Sequence, residues 1–293
     1  MRIESIFMKI VIVLVIYKLK LIESSTFDTL IKAYYKHNKF EYFELIIYDN
    51  SPIKQNINVR IPFQTQYIHD SSNGGLYAAY TYTLNRAIET KCDWILLLDQ
   101  DTKIPLNYFF LLSKITADKS LDNDVVAIVP KVFTINGKII SPCKLYIGRI
   151  RKSIKLGYAG ICDFKISAIN SGAFIKVNFL IAIGGFNPLF KLDFVDHWIF
   201  YKIFACRKKV FILDSIIEHE LSVTNYDIYM SKERYKNILN SEILFINLYS
   251  SKLEKIVYFL RLIIRSFKQL IFIKNKIYFN ITCRAITNIV IGK

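Results

Sequence analysis

Asp93-Trp94-Ile95-Leu96-Leu97-Leu98-Asp99-Gln100-Asp101-Thr102 is the stretch from which the fold is read. Trp94 to Leu98 is apolar without alternation, which predicts a strand buried on both faces. It stops at two carboxylates spaced i, i+2, with Thr102, Lys103 and Pro105 breaking the strand. Two acids held together at the end of a buried strand repel each other unless something positive lies between them. A hard divalent cation, Mg²⁺ or Mn²⁺, shared with phosphate oxygens, suits carboxylate ligands. In an open α/β sheet the carboxyl ends of strands are also where ligands bind. The plainer alternative is an acidic turn that only solvates a strand end.

Upstream, Ile10 to Tyr17 predicts a first strand, and Ser24, Ser25 or Thr26 offers an N-cap for a helix over Phe27 to Lys36. Glu44 to Tyr48 predicts a second strand, closed by the turn signature Asp49-Asn50-Ser51-Pro52. Gln66 to His69 is a short third strand; after Asn73-Gly74-Gly75, Leu76 to Thr90 reads as a helix. Downstream, a helix is expected over Tyr108 to Ile115 and a strand over Val125 to Pro130. A hairpin is expected around Asn136-Gly137. Lys144 to Lys155 is basic and weakly patterned. Ser171 to Ile175 reads as a strand, Asn178 to Ile183 as a helix stopped by Gly184-Gly185, and Val210 to Asp214 as a last strand. Alternating strands and helices favour a mostly parallel sheet with right-handed crossovers.

The 293 residues can bury a full core, and 53% of them are hydrophobic. No uninterrupted apolar run reaches the roughly 18 residues that span a bilayer. The net charge of +16 calls for a partner or surface of opposite sign. From Lys252 onward nine Lys or Arg face one acid, Glu254, so half of that excess lies in this stretch. Five scattered cysteines without a C-x-x-C fit reduced thiols in a cytoplasmic protein.

The successive strand ends hold a consistent polar set: Tyr17, then Asp49-Asn50-Ser51, then Asn73-Gly74-Gly75, then Asp99-Gln100-Asp101. A nucleotide site needs such a rim, with an acceptor for a base, glycines that let amides approach phosphate, and a metal for a diphosphate. There is neither a Gly-x-Gly-x-x-Gly nor a Gly-Lys-Ser/Thr, so a dinucleotide site or a P-loop is disfavoured. Taken in order, these stretches, with Val15-Ile16-Tyr17, Ile46-Ile47-Tyr48, Asn85, Ser171-Gly172-Ala173 and Gly184-Gly185-Phe186, resemble the inverting family 2 nucleotide-sugar glycosyltransferases, particularly the rhamnosyltransferase-like members. The resemblance covers residues 10–220. It implies a GT-A fold, an α/β architecture with a mostly parallel central sheet flanked by helices. It implies that Asp49 lies near the base, and that Asp99 and Asp101 flank ribose, metal and diphosphate. Tyr17, Asn50, Asn73, Gly74, Gly75, Asn85 and Gln100 complete the expected donor-binding set.

Inversion needs a carboxylate that deprotonates the acceptor hydroxyl as it attacks. By the resemblance this is Asp196, opening the run Val195-Asp196-His197-Trp198-Ile199-Phe200-Tyr201-Lys202, with Lys202 at the place of the family's usual arginine. Val195 and Trp198 depart from the acids common there, and Asp193 is the alternative base. Without the resemblance, Asp193 and Asp196 read as acids complementing a helix N-terminus. His219 matches the histidine that in some members joins Asp101 on the metal, Mn²⁺ or Mg²⁺. His197 is expected to bond a neighbour and not the metal.

The expected boundary lies near residue 225, with a domain over 1–225 and a basic amphipathic helical region over 226–293. There Ile256, Phe259, Ile263, Phe267 and Leu270 share one helix face, with Arg261, Arg265 and Lys268 opposite. This pattern suits a helix lying in an anionic membrane interface. The expected partners are therefore a nucleoside-diphosphate sugar, a glycan or lipid-linked acceptor, and the inner face of the plasma membrane. Nucleic acid is not expected, since no reading motif accompanies the basic residues. The rival readings are a nucleotidyltransferase and a noncatalytic membrane-docking protein.

Overall fold

A computed structural model of the chain describes residues 8–147, 150–219 and 230–291. The described residues belong to two compact units, one within 1–144 and 152–220 and the other within 145–151 and 221–293. The expected boundary near residue 225 lies outside the described residues.

The first unit is built on β1 (Met8–Ile16), which pairs in parallel with β2 (Phe40–Asp49) on one side and β4 (Trp94–Asp99) on the other. Ile10 to Ile16 are buried throughout, as a strand flanked by strands and covered on both faces requires. Each such side chain contributes roughly 1.5–3 kcal/mol by leaving water. β3 (Gln64–His69) continues the parallel half beyond β2. α1 (Ser25–Lys36) and α2 (Gly75–Glu89) are the crossovers, and Ser24 caps α1 by accepting from the Phe27 amide.

Register places the acids. Asp99 lies opposite Val15, and Asp49 lies opposite both Ile16 and His69, so four strand ends come out on one rim.

The other half of the sheet is mixed. After β5 (Thr102–Lys103) and α3 (Tyr108–Thr116), β6 (Val125–Phe133) folds back on β7 (Ile139–Ser141) through the hairpin at Asn136-Gly137. The basic stretch forms the short strands β8 (Cys143–Leu145) and β9 (Arg151–Ser153), followed by β10 (Gly160–Cys162) and β11 (Ile166–Ser167). β12 (Ala173–Lys176) enters antiparallel between β4 and β6, a direction that the expected mostly parallel sheet does not specify. Its start therefore meets the end of β4, and Gly172 donates its amide to the Leu97 carbonyl. Gly172 has φ +79, and a Cβ there would stand 2.8 Å from Pro130 Cγ, so only glycine fits.

α4 (Val177–Ala182) and α5 (Val195–Ala205) follow, then β13 (Lys209–His219), twice the length expected of it. β13 runs parallel to β6, bulges between Ile212 and Ile216, and ends antiparallel to β5 with His219 opposite Thr102.

The second unit holds α6 (Lys232–Tyr249), α7 (Lys252–Phe272) and α8 (Ile277–Ile291) around a small core that includes Tyr235, Leu239, Tyr258, Leu262 and Tyr278. A buried polar cluster joins the three helices: Gln269 donates to the Tyr235 hydroxyl at 2.7 Å and accepts from Thr282 at 2.8 Å. Arg265 does not join a solvated cationic face. It holds Glu242 through two bonds of 2.7 and 2.9 Å. No helix among the described residues is long and apolar enough to cross a membrane.

Candidate active site

The loop from Asp99 to Thr102 is fixed by the first turn of α1. The Ser24 hydroxyl donates to the Gln100 carbonyl at 2.7 Å, the Thr26 hydroxyl donates to the Asp99 carbonyl, and Thr26 accepts from the Thr102 amide at 2.7 Å. Loop backbone groups that would otherwise need water are thereby satisfied. Gln100 turns its side-chain oxygen to the Tyr17 amide at 2.8 Å, and the Tyr17 ring stands exposed at the rim.

Side chains then form a connected chain. Asp99 Oδ2 accepts from Ser171 at 2.6 Å, Ser171 and Thr102 share a hydrogen at 2.8 Å, and Thr102 meets His219 Nδ1 at 3.2 Å. His219 Nδ1 in turn lies 3.3 Å from Asp101 Oδ1. Asp99, Asp101 and His219 thus belong to one network. Ser171, placed by the antiparallel entry of β12, is the member whose role the sequence does not single out. Among the described residues no three His, Cys, Asp or Glu side chains converge as a cage. Asp101 and His219 offer one oxygen and one nitrogen on a part-exposed edge. That fits a cation whose remaining ligands are phosphate oxygens and water.

Asp49 is fully buried, and its carboxylate accepts from the Ser51 amide at 2.9 Å, Gln55 at 3.1 Å and the Tyr67 hydroxyl at 2.7 Å. Burial, with the Asp49 carboxylate beside it, pushes the Tyr67 phenol up to about 12. Asn50 bonds both ways with Gly75, receiving its amide at 3.3 Å, and so fastens β2 to the start of α2.

The glycine loop is occupied from within. Asp70 accepts from the Ser72 and Gly74 amides at 3.0 and 2.9 Å, and from Tyr48. The Ser72 hydroxyl, with these amides, holds the Asp70 carboxyl below its ordinary range. Asn73 takes φ 54 to turn the chain, and Gly75 comes so close to Lys191 that a Cβ would lie 2.4 Å from its carbonyl oxygen. These glycines serve close backbone packing, since the amides of Gly74 and Gly75 already have internal acceptors. Asn85 is exposed ten residues along α2, roughly 15 Å from its start by the helical rise, so it is not gathered with the rim.

Asp196 lies in the first turn of α5, after Phe194 at φ 69, and accepts from the His197 amide at 2.7 Å. His197 Nδ1 bonds Ser167 at 2.8 Å, as a neighbour contact and not with the metal pair. Asp193 precedes the helix, and Lys202 stacks its ammonium toward Trp198, 5.9 Å from the ring centre. Asp99 and Asp196 act together on one group. The fully buried Tyr80 hydroxyl is pushed well up, first by burial and then by the charges of both acids.

No family profile matches the sequence, and no curated protein matches it by sequence. In three dimensions the chain is similar to GalNAc-T7 with UDP, GalNAc and Mn²⁺, at TM-score 0.55 and 14% identity, over 84% of this chain and 49% of that one. It is also similar to Staphylococcus aureus TarS 1–349 in complex with UDP-GlcNAc, at TM-score 0.52 and 12% identity, over 92% of this chain and 75% of that one. The chain spans about half the length of the GalNAc-T7 chain that it matches. The fold is GT-A: a central α/β sheet with flanking helices and further helices after it.

Proposed function

We propose that the chain is an inverting glycosyltransferase that moves a sugar from a nucleoside-diphosphate donor to a hydroxyl of a cell-surface polysaccharide or lipid-linked glycan. The observation that supports this reading best is the network Asp99–Ser171–Thr102–His219–Asp101, at the strand ends where a GT-A sheet receives ligands. The GalNAc-T7 and TarS structures contain UDP with Mn²⁺ and UDP-GlcNAc respectively, which is the donor chemistry proposed. The rhamnosyltransferase-like sequence resemblance makes rhamnose the first sugar to test.

Asp101 and His219 would hold Mn²⁺ or Mg²⁺, which when bound supplies positive charge to the departing diphosphate. Asp99, fixed by Ser171, faces the ribose side. Tyr17 and Gln100 border the base end. Asp49 shapes that end through its hold on Gln55 and Tyr67. Asp196 takes the proton of the acceptor hydroxyl, with Asp193 the alternative base. The basic helices from Lys232 onward bring the enzyme to the inner face of the plasma membrane, where lipid-linked acceptors are presented.

The test begins with thermal shifts of the full chain against a panel of nucleoside-diphosphate sugars with and without Mn²⁺, because a true donor stabilises the native state by mass action. Transfer and donor hydrolysis are then measured for Asp196→Asn and Asp193→Asn. The expected result is a metal-dependent donor shift retained in both variants, with turnover falling roughly 10²–10⁴-fold only in Asp196→Asn. If no nucleotide sugar shifts the melting temperature, the reading is wrong.

A further inference from the structure

α7 has two long faces, and the structure buries the less apolar one. Tyr258, Leu262, Ser266 and Gln269 point into the helical unit. On the opposite side Leu253, Ile256, Leu260, Ile264, Phe267 and Ile271 are each 53–68% exposed. Their spacing of three and four residues keeps them on one line, and 18 residues of helix extend it over roughly 27 Å. An apolar strip of that length left in water marks an interaction surface.

Its borders are cationic. Lys252 lies toward one edge of the strip, and Arg261 and Lys268, seven residues apart, lie along the other. Arg261 and Lys268, together with Ile264 and Phe272, line an open groove on the surface, where an anionic group would meet charge and hydrocarbon side by side. Phe272, at the end of the helix, is 78% exposed. From Lys252 onward only Glu254 is acidic, so two copies stacked strip to strip would bring like charges together. An anionic surface would instead be complementary to every border of the strip.

We propose that this outward face of α7 docks on a bilayer carrying anionic phospholipid, with Leu253 to Ile271 at the headgroup–acyl boundary and Arg261 and Lys268 on the lipid phosphates. The face differs from the one the sequence pattern marks: Phe259 and Ile263 are half-buried along its margin, and Arg265 is committed to Glu242. The inference deepens the membrane contact proposed above, yet it needs none of the transferase chemistry.

Flotation of the full chain with phosphatidylcholine vesicles, alone or mixed with phosphatidylglycerol, tests it at low and high salt. Binding should require phosphatidylglycerol and weaken with salt. It should fall at least tenfold in Ile264→Asp/Phe267→Asp and in Arg261→Glu/Lys268→Glu. Both pairs replace exposed or half-exposed positions, so melting temperature and far-UV circular dichroism should stay as in the parent. Equal binding to neutral vesicles, or binding that survives both double variants, overturns the proposal. So does a dimer in solution that Phe267→Asp dissolves while vesicles are ignored, which would assign the strip to a second copy. The donor-induced thermal shift, followed in the same variants, separates the two readings, since vesicle binding without it leaves docking in place and removes only the transferase.

Discussion

His219 Nδ1 stands 3.3 Å from Asp101 Oδ1, although the two residues come from opposite halves of the sheet. The pairing depends on β13 running on to meet β5, where His219 faces Thr102. A histidine and a carboxylate at this distance form a two-point grip with the other coordination positions open to substrate oxygens.

If that grip holds the cation, Asp101→Asn and His219→Ala should each raise the Mn²⁺ midpoint of the donor-induced thermal shift by at least the roughly tenfold that loss of an outer-shell partner costs. The Asp101 side chain is one-third exposed, so its replacement should change the ligand-free melting temperature little. A manganese titration in the presence of nucleoside diphosphate checks this, and an unchanged midpoint in both variants would refute it.

Asp70 gives a pH signature. Its carboxyl is held below the ordinary 3.8 by Ser72, Gly74 and Tyr48, so its stabilising contribution is fully present above the unfolded value and lost as pH falls through the folded one. Asp70→Asn should therefore cost about 1–3 kcal/mol near neutral pH. The gap from the parent should close below about pH 4. Urea melts across that range are the measurement, and a gap that widens in acid would contradict the assignment.

Glu44 is a buried acid far from the site. It is fully enclosed and takes Arg86 Nε at 2.9 and 3.1 Å, the Tyr42 hydroxyl at 2.6 Å and the amides of Gln64 and Gln66. Removing its cation leaves a buried carboxylate with neutral donors but no counter-charge, so Arg86→Ala should cost roughly 3–5 kcal/mol. Arg86→Met/Glu44→Leu should cost much less. Calorimetry of the single and double variants decides, and equal losses would sink the claim.

Tyr80 should behave in the opposite sense. Its hydroxyl is fully buried and finds no acceptor among the described residues. Tyr80→Phe should thus leave stability unchanged or raise it by about 1 kcal/mol, because an unsatisfied buried donor costs about that much. A clear fall in melting temperature would mean that the hydroxyl is bonded after all.

The strand ends could be read from sequence because a run such as Ile10 to Ile16 is of strand length, rich in β-branched residues and without polar interruption. The turn at Asn136-Gly137 was equally legible, since few residue pairs take those backbone angles. The direction of β12 was not. Four to five apolar residues read alike in either direction, and only its pairing with both β4 and β6 fixes it as antiparallel. That reversal is also why the place of Ser171 at the rim was not legible, although Ser171-Gly172-Ala173 is part of the resemblance. Asn73-Gly74-Gly75 looked ready for phosphate because composition reports backbone freedom and not where the amides point; Asp70 takes those of Asn73 and Gly74, and Asn50 takes that of Gly75. In α7 two apolar faces competed. The buried one won with Ser266 and Gln269 on it because hydrogen bonds to Tyr235 and Thr282 offset the burial of Gln269, and no hydropathy pattern registers such partners.

Ser24 has one oxygen in two structures: it stops α1 from unwinding at the Phe27 amide, and it pins the Gln100 carbonyl beside the acids. Fraying of a single helical turn therefore slackens the acid-bearing loop at the same moment. Heat would blunt the site well before it dismantles the sheet beneath.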